Sequence, residues 1–176
     1  MKVGTQLFKE SHMKTKIITL IFFLLAALNS HAMLTVLDCK NCTPKELARV
    51  QESASMVNQV VKTQCFRDFM EARELIQTNG LTRSQVVDSL VSADIKISVE
   101  MYWSLKRVLG YTYDGVNKEW VNRRYMMSWG VCDLASLLGH ETSHKANYDH
   151  DFKATKRRPW SVPYSINQAF KKCCPR

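Results

Sequence analysis

The chain has 176 residues, of which 45% are hydrophobic and 23% charged, with a formal net charge of +9. That length is room for one ordinary domain and not for two. The composition excludes a disordered, collagenous or low-complexity chain. Six cysteines in so short a chain call first for an account of redox compartment.

Lys14 and Lys16 precede an apolar run, Ile17 to Leu28, and Asn29-Ser30-His31-Ala32 follows it. A basic head, a short apolar core and small residues at Ser30 and Ala32 predict a secretory signal peptide over residues 1–32, with Met13 as an alternative start. The apolar run is too short for a membrane span of about 20 residues, so no stable anchor is expected after cleavage. The remaining chain, 33–176, is read as one domain, secreted or periplasmic. It carries 21 basic and 15 acidic groups, a net of +6. That charge favours anionic surfaces or substrates without being a nucleic-acid footprint, and no nucleic-acid partner is expected.

Cys39, Cys42, Cys65, Cys132, Cys173 and Cys174 all lie in this part, and an even count in an oxidising compartment predicts up to three disulfides. Fifteen pairings are open. Cys39-x-x-Cys42 is read as structural because no thioredoxin-like strand is expected before it. Thr43-Pro44-Lys45-Glu46 forms a capping box, and Leu47, Val50, Ala54, Val57 and Val61 recur at helical spacing, predicting a helix to about Thr63. Phe66, Phe69, Met70, Leu75 and Ile76 continue as a second helical stripe ended by Gly80. Thr82 to Gln85 repeats the capping pattern ahead of Val86, Val87, Leu90 and Val91. Residues 95–102 alternate as a half-buried strand, 119–126 predict another, and Asp114-Gly115 marks a turn between them. From Asp133 the pattern is helical again and ends at Asn147. The basic tail, 151–176, should lie against the core, pinned by disulfides. The fold class is α+β, helix-rich with a small sheet, and a monomer is expected.

The chemistry concentrates in His140-Glu141-Thr142-Ser143-His144, followed by Asp149-His150. Histidines four apart share a helix face, and their nitrogens can meet one Zn²⁺ at about 2.0–2.1 Å. Glu141, beside the first histidine, is placed to act on water as a general base rather than to ligate. A third ligand leaves one position open, and His150 supplies it if the chain reverses near Asn147. His12 and His31 belong to the leader, so every histidine of 33–176 falls in this set.

These residues resemble the pattern H-E-x-x-H-x-x-G-x-x-H of the metzincin zinc metallopeptidases, with His140, Glu141, His144 and His150 matching and Asn147 replacing glycine. Ser161-Val162-Pro163-Tyr164 looks like a degenerate methionine turn, with proline in the place of methionine. A stretch with His150 to Phe152, Arg157 to Pro159 and Ser161 to Tyr164 is similar to small exported bacterial proteins regarded as metallopeptidases. The resemblance implies a zincin-like fold and a zinc hydrolase cleaving protein or peptide substrates, with Glu141 as base. The aspzincins offer a second resemblance, in which Asp149 and not His150 would be the third ligand. His150 ranks first, because the Gly-Thr expected before that aspartate is absent.

Tyr164 could donate a hydrogen bond to an oxyanion, or pack the tail onto the core. Lys153, Lys156, Arg157 and Arg158 could face an acidic substrate, though such runs are more often solvated loops. Trp103, Trp120, Trp129 and Trp160 are read as core or cleft wall. The alternatives to a peptidase are an exported zinc-binding module without turnover and a basic protein that binds envelope polymers.

Overall fold

The computed structural model describes residues 32–126 and 128–175. The leader reading lies outside the described residues except for Ala32. Thr43 starts the first helix: its hydroxyl accepts the Glu46 N–H, and Glu46 Oε2 accepts the Thr43 N–H at 2.7 Å. Pro44 stands where no amide hydrogen is needed. Helix α1 (Pro44–Val60) buries Val50, Ala54 and Val57. Helix α2 (Gln64–Ala72), capped by Thr63, buries Phe66 and Met70. Helix α3 (Arg83–Ser92) opens on the Thr82–Gln85 box and buries Val86, Val87 and Leu90.

Strands β1 (Leu34–Lys40), β2 (Ile95–Tyr102), β3 (Gly110–Thr112) and β4 (Lys118–Asn122) form one mixed sheet in the order β1-β2-β4-β3. The first three in that order are parallel neighbours, and β3 pairs antiparallel to β4 at the edge. The Asp114-Gly115 turn, with Gly115 at φ +72°, joins β3 to β4. Ile97, Val99, Met101 and Val121 point inward. Helix α4 (Arg123–Met126) follows β4, then α5 (Val131–Lys145), a single 3₁₀ turn (Arg158–Trp160) and α6 (Val162–Cys173).

The chain is thus α+β and helix-rich, and it is stapled by Cys39–Cys42, Cys65–Cys173 and Cys132–Cys174. The tail packs on the core as expected, with Val162, Ile166, Ala169 and Phe170 buried. No helix among the described residues is long and apolar enough to cross a membrane.

Several sequence expectations need correction. A strand does run up to Cys39-x-x-Cys42, because β1 contains Cys39. The second helix stops at Ala72 rather than near Gly80: beyond it, the Ile76 N–H pairs with the Trp160 carbonyl at 3.0 Å and Ile76 bridges to Ser161. Partnership with the tail overrides the apolar stripe. The strand expected over 119–126 ends at Asn122, where the buried Asn122 side chain turns the chain into α4 by accepting the Arg124 N–H. Trp103 and Trp160 are exposed and Trp120 half-buried, whereas Trp129 is half-buried, packs against the core and lines a cleft with Leu109 and Phe170.

Candidate metal centre

Helix α5 carries the first two histidines, and several contacts fix its start. Asp133 Oδ2 accepts the Gly130 N–H at 3.1 Å, and Arg49 Nη1 donates to the Trp129 carbonyl at 2.6 Å. Leu134, Ala135 and Leu138 bury one face. Gly139 lets α6 approach closely: a Cβ there would lie 3.2 Å from Ile166 and 3.3 Å from Phe170. That contact brings α6 beside His140.

The helix ends in a Schellman motif. The Tyr148 N–H donates to the Ser143 carbonyl and the Asn147 N–H to the His144 carbonyl, both at 3.0 Å, with Asn147 at φ +64°. Asparagine accepts this left-handed geometry at low cost because its short side chain bonds locally. Tyr148, buried after the turn, meets Ser89 Oγ through its hydroxyl. The reversal carries His150 back to the helix.

His140, His144 and His150 offer ligand nitrogens within 4.8 Å of one another. Their ring centroids stand 4.9–5.3 Å apart. Every Nδ1 already has a neighbour. The Asn167 amide lies 3.0 Å from that of His140, Asp149 Oδ1 3.2 Å from that of His144, and the Asp151 carbonyl 3.1 Å from that of His150. The Nε2 atoms are therefore the ones left for an ion. Asp149 braces His144 here, while His150 completes the triad.

Burial holds His140 well below the usual imidazole range, and the two neighbouring rings add to the effect. His150 is lowered as well, chiefly by burial. Neutral imidazoles are the form that binds metal. The three imidazoles, with no fourth protein ligand among the described residues, are placed to bind a metal ion.

Glu141 is 6% exposed, and burial pushes its carboxyl up to about 7. Behind it lies Glu119 of β4, fully buried and raised well above the carboxylate range by desolvation, with Glu141 adding to the rise. Thr142 Oγ1 donates to Glu119 Oε1 at 2.9 Å, while Oε2 has no partner. The Tyr164 ring centroid stands 4.9 Å from those of both His140 and His150. Residues 161–164 start α6 rather than forming a separate turn, with Ser161 as N-cap.

His140, Glu141, His144, Asp149, His150, Tyr164 and Asn167 open onto a cleft of about 620 Å³, edged by β3 and the 107–109 loop. Asn122 shapes that loop by donating to the Ser104 and Val108 carbonyls, each at 3.0 Å. Of the basic tail residues, Arg158 lines the cleft, while Lys153, Lys156 and Arg157 are exposed elsewhere.

The sequence reading missed Asn167, Glu119 and the bracing role of Asp149. Asn167 was accessible in principle, since it stands one helical turn after Tyr164. Glu119 could be found only as an acid two residues before an inward valine. No protein-family model, curated protein or solved structure matches the chain.

Proposed function

We propose that the protein is an exported zinc metallopeptidase acting on protein or peptide substrates. The observation that carries this reading is the braced imidazole triad with a buried carboxylate on the adjoining residue. The metzincin-like spacing of His140, Glu141, His144 and His150 adds to it, and the leader pattern with three disulfides supports export. Zinc, when bound, supplies Lewis acidity and brings the pKa of water toward about 7.

The chain's own groups do the rest. His140, His144 and His150 hold the ion. Glu141, poised near neutrality, takes a proton from water and returns one to the leaving amine. The Tyr164 hydroxyl donates to the developing oxyanion. Strand β3, at the sheet edge and along the cleft, has backbone groups free to align an extended peptide.

Metal analysis of the oxidised protein, followed by a peptide-library digest, tests the reading. One equivalent of zinc with cleavage is expected, and Glu141→Gln should keep the metal and lose hydrolysis by at least about a hundredfold. Full zinc without cleavage of any peptide leaves a metal-binding module instead. Equal turnover by the variant removes Glu141 from the mechanism.

A further inference from the structure

Arg158 is a cation without an acid. It forms no ion pair among the described residues, and its Nε is buried with no hydrogen-bond partner. The other buried side-chain polar atom in that state among the described residues, Glu119 Oε2, belongs to a carboxyl that burial pushes well above its ordinary range, toward the neutral form. A guanidinium is always charged and cannot take that escape.

Its position is fixed and faces the proposed reaction centre. The guanidinium carbon lies 4.7 Å over the Tyr164 ring, which itself touches the rings of His140 and His150. The backbone beneath is tied down. The Arg158 N–H donates to Thr155 Oγ1 at 3.1 Å, and the Arg158 carbonyl accepts from Ser161 Oγ at 2.9 Å. Arg73 clasps the same turn by donating to the Pro159 carbonyl at 3.2 Å and stacking on Trp160. Such an arm loses little freedom when a ligand arrives.

The acids that share the cleft are already engaged or set apart. Asp149 braces His144, Glu141 flanks the ligands, and Asp114 sits on the β3–β4 turn. Arg107 adds a second positive group to the wall. What is missing from the arrangement is a carboxylate, whose two oxygens match the guanidinium fork.

We propose that Arg158 recognises a carboxylate of the substrate beside the metal centre, so that the preferred peptides carry an acidic side chain or a free C-terminal carboxylate next to the bond cleaved. This deepens the peptidase reading and rests on it for the word substrate; the anion site itself can be measured without turnover.

The test uses three labelled hexapeptides of one sequence: glutamine-containing and amidated, glutamate-containing and amidated, and glutamine-containing with a free C-terminus. Fluorescence anisotropy gives their affinities for Glu141→Gln and for Glu141→Gln/Arg158→Gln, each zinc-loaded and also as purified. At least one anionic peptide should bind about tenfold or more tighter than the neutral one, and loss of Arg158 should erase the difference. Arg158→Lys, a point charge without the fork, should restore only part of it. Whichever anionic peptide is preferred identifies the source of the carboxylate. Equal binding of all three, binding of none, or a preference that survives the loss of Arg158 overturns the proposal. Turnover by the native protein is followed separately, so an inert protein that keeps the preference sinks the peptidase reading and not the anion site.

Discussion

Asn167 joins the two helices that build the metal centre. Its side-chain amide lies between Ser136 Oγ on α5, at 3.1 Å, and His140 Nδ1, at 3.0 Å. When Oδ1 accepts the His140 Nδ1–H and the amide NH2 donates to Ser136 Oγ, the lone pair of His140 stands on Nε2 for the ion. Asn167→Ala should leave the fold intact by circular dichroism and weaken zinc binding by about tenfold or more in a chelator competition. Unchanged affinity would reduce Asn167 to a link between helices. At this scale the sequence was legible where chemistry and spacing coincide, as in His140, Glu141 and His144 on one helix. Asn147 was legible too, because few residues tolerate positive φ. The bracing groups were not, since Asn167 reaches His140 only through the packing of α6 on α5, which no local pattern encodes.

Among the elements, α1 is held to the start of α4 by one ion pair. Arg123 Nε meets Glu46 Oε1 at 2.6 Å and Arg123 Nη2 meets Oε2 at 3.1 Å. The Arg123 guanidinium holds the Glu46 carboxyl below the usual carboxylate range against the opposing pull of burial. An acid lowered in the folded state stabilises the fold above its unfolded pKa, and that contribution fades as pH falls through the folded value. Glu46→Gln should therefore cost about 1.5–3 kcal/mol at pH 7 in denaturant unfolding. The deficit should shrink as pH falls below the carboxylate range. A gap independent of pH would mean that the charge of Glu46 contributes nothing and that only its shape is missed.

The same scale explains the missed elements. In β1 the register shifts between Val36 and Asp38 and leaves Leu37 exposed, which breaks the alternation a strand search needs. Helix α6 lies in a tail whose sequence reading assigned no element, and its Pro163 sits in the first turn, where proline is harmless. Its buried Val162, Ile166, Ala169 and Phe170 nonetheless keep helical spacing. The second helix was overcalled because Leu75 and Ile76 keep an apolar rhythm while their backbone answers to the tail.

For the whole molecule, the two long-range disulfides do what a small sheet and short helices cannot do alone. Cys65–Cys173 spans 108 residues and Cys132–Cys174 spans 42, and together they fasten α6 near the start of α2 and of α5. Cross-links over such separations restrict the unfolded chain, each by a few kcal/mol in the chain-entropy account. Replacing Cys65 and Cys173 with serine should lower unfolding free energy by about 2–5 kcal/mol. It should also weaken zinc binding, because α6 carries Asn167 and Tyr164. Stability lost with zinc affinity intact would separate the clamp from the centre. The pairing itself could not be read from the sequence, because six cysteines fit many schemes and only the folded path selects one.

The adjacency of Cys173 and Cys174 exposes the molecule to a particular kind of damage. Lys171 and Lys172 stand exposed just before them. One nick after either lysine would leave every sulfur bonded and the chain's mass in place. Yet the last helix would be cut loose from both of its moorings at a stroke, and only reduction followed by mass spectrometry would reveal the short severed peptide.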